Sequence, residues 1–360
     1  MRLFVFYFIS VFFIFGQFDN VGTSAANFLK IGVGGRASGL AGATTADVNG
    51  PTALYWNPAG IASVKKTEIS INQTDWIFDL KHSYLAVVVP MGRIGNMGIS
   101  LNYLDMGTME RTTEIFPNGD GTTFSASNLA AGMAYSKSMS DRFNVGIQIK
   151  TIHESISYTS ASALALDAGS LYTSRFSGLK VGMSITNFGT KMKLSGTDQK
   201  IDVDPYEDLD GNPDVVANLR TEEWPIPMTF RLGLSFKPIG PGSIINSAAF
   251  TNTLNIDYCD SRDLNPYFSF GSELKAKELI CFRAGIKRDY LHYNDSTDNV
   301  SLKTSTEPFE LKNYVNRFSW GIGLSSKNFK YIPYNLSVDY SVSDMGRLGV
   351  TSQIGLIFKL

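Results

Sequence analysis

The sequence is poor in charge and in cysteine. Only 18% of its 360 residues are charged, and the formal net charge at pH 7 is -1. A nucleic-acid-binding surface needs a clustered excess of Lys and Arg, so this balance argues against nucleic acid as a partner. The strand assignment puts the two cysteines, Cys259 and Cys281, near opposite ends of the fold, and we expect them to stay unpaired.

Long hydrophobic runs are absent beyond the first residues of the chain. Arg2 precedes an apolar run from Leu3 to Phe15, which is too short to span a bilayer comfortably. This arrangement is typical of a secretory signal peptide, and we assign residues 1–17 to a cleaved signal. No later segment reaches the ~20 apolar residues of a transmembrane helix, so any membrane crossing requires strands.

Apolar residues occupy every second position along most of the chain. In residues 95–103 the alternate apolar positions are Met97, Ile99, Leu101 and Tyr103. The residues between them are polar or small, and the same alternation runs through 143–150, 280–287 and 348–360. Each such strand has one apolar face and one polar face. A soluble sandwich also alternates, so the pattern alone leaves both architectures open.

The spacing of the strands favours a barrel. We predict strands at residues 67–76, 82–90, 95–105, 124–137, 142–153, 163–175, 178–188, 226–237, 243–257, 265–275, 278–288, 315–326, 331–341 and 349–359. The connections after even-numbered strands are tight, whereas those after odd-numbered strands include three long loops at 106–123, 189–225 and 289–314. Short turns at one rim and long loops at the other are typical of outer-membrane barrels. The predicted fold class is all-β, with residues 67–360 forming a closed antiparallel transmembrane barrel of about 14 strands.

Aromatic residues near the predicted strand ends support this interpretation. Rings at headgroup level form the aromatic girdles of membrane barrels. The residues assigned to such girdles are Trp76, Tyr84, Tyr267, Phe268, Phe318, Trp320, Tyr331 and Tyr334.

The segment between the signal peptide and the first strand, residues 18–66, has a different composition. It is dense in small residues, which allow backbones to pack closely in a confined space. An even number of strands puts both ends of the barrel on the short-turn side. We therefore expect this segment at that mouth, folded into the lumen as a plug or hatch.

Two stretches of this segment resemble a known family. They are Asn27-Phe-Leu-Lys-Ile-Gly-Val-Gly-Gly-Arg-Ala-Ser-Gly-Leu-Ala-Gly-Ala and Ala53-Leu-Tyr-Trp-Asn-Pro-Ala-Gly60. In order and spacing they are similar to the amino-terminal signature of the PorV/PorQ family, a branch of the FadL-like fourteen-stranded barrels. The resemblance implies a hatch motif made of Gly32, Gly34, Arg36, Gly39, Gly42, Trp56, Asn57, Pro58, Ala59 and Gly60.

The same resemblance implies an outer-membrane location and a role in transport or secretion. PorV-like members work with type IX secretion, where the barrel receives the carboxy-terminal sorting domains of exported proteins. FadL-like relatives instead admit long-chain hydrophobic molecules through a hatch that shifts. The expected function is therefore protein secretion, by binding cargo or secretion partners at the cell surface, with a FadL-like transporter of hydrophobic small molecules as the alternative. A porin-like protein without a defined client is a third, plainer class.

Catalytic, metal and cofactor signals are weak, and we predict no enzyme, no metal and no cofactor. The acidic run 202–214 contains part of a calcium loop, but alignment on Gly211 puts Tyr206 and Ala217 where carboxylates are needed. A solvated loop explains this run better than a looser calcium site. The three histidines are far apart in sequence, which gives a metal cluster or a Ser-His-Asp relay little support.

Polar residues on the predicted inner face have two open interpretations. They could line a polar passage or hold the plug by hydrogen bonds, and the structural role is favoured. These residues are Gln148, Lys150, Arg283, Lys287 and Gln353.

Overall fold

Fourteen long antiparallel strands form a closed barrel in this computed structural model, which describes residues 22–175, 178–205, 213–290, 314–326 and 335–360. The strands are β1 (Glu68–Asp75), β2 (Lys81–Pro90), β3 (Asn96–Glu110), β4 (Thr123–Ser140), β5 (Phe143–Ile156), β6 (Thr159–Thr173), β7 (Lys180–Gly189), β8 (Thr229–Ile239), β9 (Phe250–Ser261), β10 (Leu264–Ala276), β11 (Ile280–Tyr290), β12 (Tyr314–Ser325), β13 (Asn335–Asp344) and β14 (Val350–Lys359). Each strand pairs with the next, and β1 also pairs with β14, from Glu68 opposite Lys359 to Asp75 opposite Ser352. Closure leaves no strand edge of the barrel unpaired, as a bilayer interior requires.

The alternation predicted from sequence sets which face of each strand meets the lumen. On β3, the side chains of Ile99 and Leu101 are exposed on the outside, whereas Ser100 and Asn102 are buried inside. The outer surface is therefore apolar and the inner face polar or small. The fold-class prediction is confirmed, and every predicted strand overlaps an observed one.

The two rims differ as predicted. The long-loop rim carries the connections 76–80, 111–122, 157–158, 190–228, 262–263, 291–313 and 345–349. The short-turn rim carries 91–95, 141–142, 174–179, 240–249, 277–279 and 326–334. Within the connection 190–228, short strands pair Met192–Lys193 with Glu223–Trp224, Ser195–Gly196 with the start of β6, and Lys200–Val203 with Val215–Asn218.

Two sequence predictions of the barrel wall are wrong in detail. Residues 243–249 do not belong to β9, because a turn through Gly240 and Gly242, both with positive φ, folds the chain back, so that Ile245 makes only an isolated bridge to Ile239 at the end of β8. Tyr84, Trp76 and Tyr267 are not girdle residues. The Tyr84 side chain is buried in the lumen, where its hydroxyl donates to Pro51 O, and Trp76 and Tyr267 line a cavity inside the barrel beside Lys287. Phe268, Phe318 and Trp320 are exposed on the outside, while Tyr331 and Tyr334 lie outside the described residues.

The described part of the N-terminal segment, residues 22–66, packs against the inner faces of the strands. It contains α1 (Gly35–Gly39), α2 (Ala53–Trp56) and the 3₁₀ turns Asn27–Lys30 and Pro58–Ser63; further 3₁₀ turns are Ile77–Asp79, Thr197–Gln199 and Gly346–Leu348. No helix in the described ranges has both the length and the apolar character needed to cross a membrane.

The segment runs along the lumen rather than staying at the short-turn mouth. The Gly22 N–H donates to Asp263 O at the long-loop rim (3.1 Å), whereas the Asn96 amide, at the short-turn end of β3, donates to Val64 O (2.8 Å). The sequence-based expectation of a position at the short-turn mouth holds only for the end of the segment that leads into β1.

Candidate functional site

The Asn57-Pro58-Ala59-Gly60 element begins a 3₁₀ turn inside the lumen. Asn57 is fully buried and caps the turn: its Oδ1 accepts from the Ala59 N–H at 3.1 Å, and Pro58 occupies the first helical position. The Asn57 Nδ2 donates to Thr45 O of the segment and to Ser170 O of β6, both at 3.0 Å. One side chain therefore ties two parts of the segment to the barrel wall.

Inward-facing glycines of the wall make room for the backbone of the segment. A Cβ on Gly146 would lie 2.4 Å from the carbonyl carbon of Pro58, and one on Gly169 would lie 2.0 Å from Asn57 Oδ1. The same closeness recurs around the barrel, at Gly182 and Gly233 against residues 45–46 and at Gly271 and Gly285 against Leu40. The absence of side chains on these strand positions is what admits the segment into the lumen.

Trp56 packs at the centre of the segment. Its indole N–H donates to Val33 O at 2.8 Å, and Gly32 and Gly42 leave space for the six-membered part of its ring. The guanidinium carbon of Arg231, on β8, lies 5.3 Å from the centroid of the ring, within the range of a cation–π interaction.

The short helix α1 begins and ends in close contacts. Gly34 has a φ of 97°, and its carbonyl accepts from the Ser38 N–H, which starts the helical turn. Gly39 lies against the backbone of Gly321 on β12, where a Cβ would come within 3.2 Å of the Gly321 Cα. The hatch-motif residues therefore fall into two groups, one around Trp56 and Asn57 and one around α1.

A network of ion pairs holds α1 to the wall near the short-turn rim. Arg36 pairs with Asp47 of the segment at 2.7 Å and with Glu273 of β10 at 2.9 Å. Glu273 also accepts from Arg283 of β11 at 2.7 Å, and Arg283 reaches Asp339 of β13 at 2.7 Å. Because these charges are largely buried, removal of one partner leaves the others without compensation.

Asp47 is a second point of attachment. Its carboxylate contacts Lys180, at the start of β7, at 2.5 Å as well as Arg36. Burial favours the neutral acid, but the two cations outweigh burial, so the pKa of Asp47 lies below its ordinary value of 3.8.

The polar residues predicted on the inner face lie there, and they have different roles. Gln353 donates to Gly32 O at 3.2 Å, and Arg283 belongs to the ion-pair network, so both support the segment. Lys150 pairs with Asp167 on the neighbouring strand at 2.8 Å, and Gln148 donates to Ser100 Oγ. The Lys287 Nζ lies 3.7 Å from the centroid of the Tyr267 ring and lines a cavity.

Several cavities lie around the described part of the segment. A central one of about 20 Å³, lined by residues that include Tyr55, Asn102 and Arg231, has room for little more than one water molecule. A second, of about 140 Å³, lies towards the long-loop rim beside Trp76, Lys287 and Arg317. A third, of about 310 Å³, lies towards the short-turn rim and is lined by Arg36, Arg283 and Asp339 of the ion-pair network together with Lys275 and Lys359. Residues of the segment contribute to the lining of each of these cavities.

The remaining candidate residues do not converge. His82 is buried and lies 2.5 Å from Asn102 Oδ1, His153 contacts Ser162, and His292 is outside the described residues. Cys259 and Cys281 are free and buried on β9 and β11. Within the described residues, no group of three or more His, Cys, Asp or Glu side chains is arranged to hold a metal ion. The centre of the acidic run, residues 206–212, also lies outside them.

Sequence reasoning did not identify several residues that hold the segment in place. They are Asp47, Lys180, Arg231, Glu273 and Asp339, together with the inward glycines of the wall. For the strand residues the available signal was a charged or glycine side chain at an inward position of the alternation. That signal shows that a strand residue faces the lumen, but it does not show which residue of the segment it contacts.

Comparisons with known proteins agree with this architecture. A family model described as "Type IX secretion system protein PorV" matches residues 16–212, which include the N-terminal segment and strands β1 to β7. The chain is similar in structure to the Pseudomonas putida toluene transporter TodX, with a TM-score of 0.55 and 13% identity over 91% of this chain and 97% of that one. It is also similar to the CymD monoaromatic hydrocarbon channel, with a TM-score of 0.53 and 12% identity over 93% of this chain and 97% of that one. At such identities these two likenesses show the fold alone. No curated protein matches the chain in sequence.

Proposed function

Because this chain belongs to the PorV family of type IX secretion system proteins, we propose that it takes part in protein secretion, as an outer-membrane barrel that binds exported proteins or other secretion components at its long-loop rim. The observation that carries this proposal is the family match over residues 16–212, which covers more than half of the chain. It includes the segment in which the hatch motif lies.

The geometry of the lumen supports binding at the rim rather than passage through the barrel. An unfolded polypeptide needs a continuous channel, whereas the central space beside the segment is about 20 Å³. The segment is anchored by Asn57, by the ion pairs of Arg36 and by close packing against the wall glycines. We assign it the role of a hatch that closes the lumen, with Gly32, Gly34, Gly39 and Gly42 providing close approach and Trp56 to Gly60 forming its centre.

The family and fold are those of a secretion or transport barrel of the outer membrane. We propose that the protein is not an enzyme, works without a cofactor, and has outer-membrane lipid and secretion components as its partners. Long loops of such barrels are extracellular, which puts the long-loop rim at the cell surface.

The alternative function is transport of hydrophobic small molecules, as in the hydrocarbon channels that share the fold. A transporter of this kind needs an apolar pocket of some 300–1,000 Å³ that leads to an exit. The cavity towards the short-turn rim is lined by Arg36, Lys275, Arg283 and Lys359, whereas the one towards the long-loop rim combines Lys287 and Arg317 with aromatic side chains. The charged lining of the larger of these two cavities supports the secretion role over this alternative.

Affinity purification of the tagged barrel from native membranes tests the proposal, together with secretion and fatty-acid uptake measured in a deletion strain. We expect recovery of secreted proteins that share a carboxy-terminal domain, and a deletion strain with impaired secretion and normal uptake. The same tag on an unrelated barrel of the same cells is the control. Loss of uptake with normal secretion would favour the transporter and overturn the proposal.

A further inference from the structure

The longest described connection of the long-loop rim ends in an unpartnered β-ribbon. The ribbon consists of Lys200–Val203 and Val215–Asn218, and within the described residues these two strands pair only with each other. Each strand therefore offers one free edge of backbone donors and acceptors. Sheets whose edges are open in this way are templates for another strand.

One face of the ribbon is apolar although it is surrounded by solvent. The register pairs Ile201 with Ala217 and Val203 with Val215, and paired residues lie on the same face. On this face Ile201 is 40% exposed, Val203 38% and Val215 54%. β-branched side chains at this exposure, in a connection of the long-loop rim, mark an interaction surface.

The base of the ribbon is tied to the barrel wall. Ser195–Gly196 pairs with the start of β6, and the Thr197 N–H donates to Tyr158 O at 3.1 Å. The Tyr158 N–H in turn donates to the Asp198 carboxylate at 3.0 Å. These contacts fix the base of the ribbon. Binding of a partner therefore orders fewer residues and costs less conformational entropy.

The charge around the ribbon limits which partners can bind it. The sequence from Asp198 to Glu223 has many acidic residues and only two basic ones, Lys200 and Arg220. The acidic residues of this segment that the structure describes are Asp198, Asp202, Asp204, Asp214, Glu222 and Glu223. Phosphate-bearing lipid headgroups repel such a segment, and a second copy of it would do the same. A basic polypeptide is attracted to it.

From these observations we propose that the ribbon binds an exported protein by strand addition, taking a basic, extended edge strand of that protein as its third strand. This inference rests on the proposed secretion function and identifies the ribbon as the element that binds the exported protein. A two-stranded ribbon is marginally stable in water. A third strand satisfies one of its open edges and places side chains beside those of the apolar face. The backbone supplies affinity, and the acidic side chains supply the preference for a basic partner.

The test compares two sets of substitutions on the same rim. The ribbon variant carries Ile201→Ser, Val203→Ser and Val215→Ser on the apolar face, and the control carries Ile115→Ser and Phe116→Ser in the connection 111–122, whose side chains are also exposed. Tagged barrels are purified from native membranes, their folding is checked by heat-modifiable migration, and the exported proteins retained are quantified. We expect the ribbon variant to retain at least about tenfold less than the wild type, and the control to retain the wild-type amount.

Two further measurements isolate the mechanism. Asp202→Lys with Asp214→Lys preserves the strands and is expected to lower retention, because it removes the attraction for a basic strand. Hydrogen exchange of residues 213–219 is expected to slow when the most abundant retained protein is added to the purified barrel, since strand addition protects backbone amides.

Each outcome has a defined meaning. Equal retention by the ribbon variant and the wild type, or unchanged exchange in residues 213–219, overturns the ribbon proposal and leaves the secretion function intact. A wild-type barrel that retains no exported protein overturns both.

Discussion

Gly146 and Gly169 illustrate how single residues of the wall determine what the lumen holds. Glycine normally weakens a strand, because it gives up conformational freedom and has no side chain to pack. Here the missing side chain is what matters, since the backbone of residues 57–58 occupies the space that a Cβ would fill. The cost in strand stability is offset by the contact between the wall and the segment.

Substitution of Gly146 by Ala is expected to displace the segment or strain the wall. The new methyl group would lie 2.4 Å from the Pro58 carbonyl carbon, a backbone atom that cannot rotate away. Overpacking of this kind costs about 1–3 kcal/mol. The expected result is a lower thermal midpoint of the purified barrel and faster proteolysis of residues 22–66.

The matched control is Ala168→Val on the neighbouring strand. Ala168 pairs with Ile147 and faces outward, so the added carbons meet lipid or detergent. This variant should behave as the wild type. Equal effects of the two substitutions would contradict the claim that the segment packs against Gly146.

Asp47 makes the stability of the segment depend on pH. Its pKa is lowered in the folded protein, so its ion pairs contribute stability above its ordinary value of 3.8 and lose it as the pH falls through the lower folded value. Asp47→Asn removes this contribution at neutral pH. The difference in thermal midpoint between the wild type and the variant should be largest near pH 7 and shrink below about pH 4. A difference that is independent of pH would show that the charge of Asp47 has no such role.

At the scale of elements, the barrel strands were predictable because a bilayer imposes one simple pattern. The alternation predicted which side of the wall residues such as Ile99 and Ser100 face, and the turn residues predicted the positions of the two rims. Prediction failed where apolar residues serve another purpose, as at Ile244 and Ile245 in a turn and at Tyr84 in the lumen. Contacts between the N-terminal segment and the wall join residues far apart in sequence, such as Arg36 and Glu273, and a single sequence contains no periodicity that pairs them.

A lysine on the outer face of β3 tests the assignment of that face to lipid. Ile99 is 55% exposed and lies within a row of outward apolar residues. A lysine that faces lipid costs up to about 2–4 kcal/mol, with the highest cost at the bilayer midplane. Ile99→Lys should therefore lower the unfolding free energy measured in lipid vesicles.

Ile115→Lys is the control for this substitution. Ile115 is 80% exposed, but it lies in the connection 111–122 at the long-loop rim, where water is available. The variant should unfold with the wild-type free energy. If Ile99→Lys were equally harmless, the outer face of β3 would not contact lipid.

At the scale of the whole molecule, the chain combines an apolar exterior with a filled interior. The N-terminal segment runs from the long-loop rim to the short-turn rim and is tied to the wall at both ends. A filled lumen leaves the rims as the surfaces where partners can bind. The long-loop rim, with its β-ribbon of residues 200–203 and 215–218, is the one we assign to exported proteins.

Ion conductance of the purified barrel in a planar bilayer tests this account most directly. The segment is expected to keep the wild-type channel closed, so that no stable conductance appears, while Arg36→Ala with Asp47→Ala, which removes the ion pairs of α1, should produce opening events. Control recordings on Ala168→Val should stay silent. A steady, open wild-type channel would contradict the account, because the lumen would then be a passage.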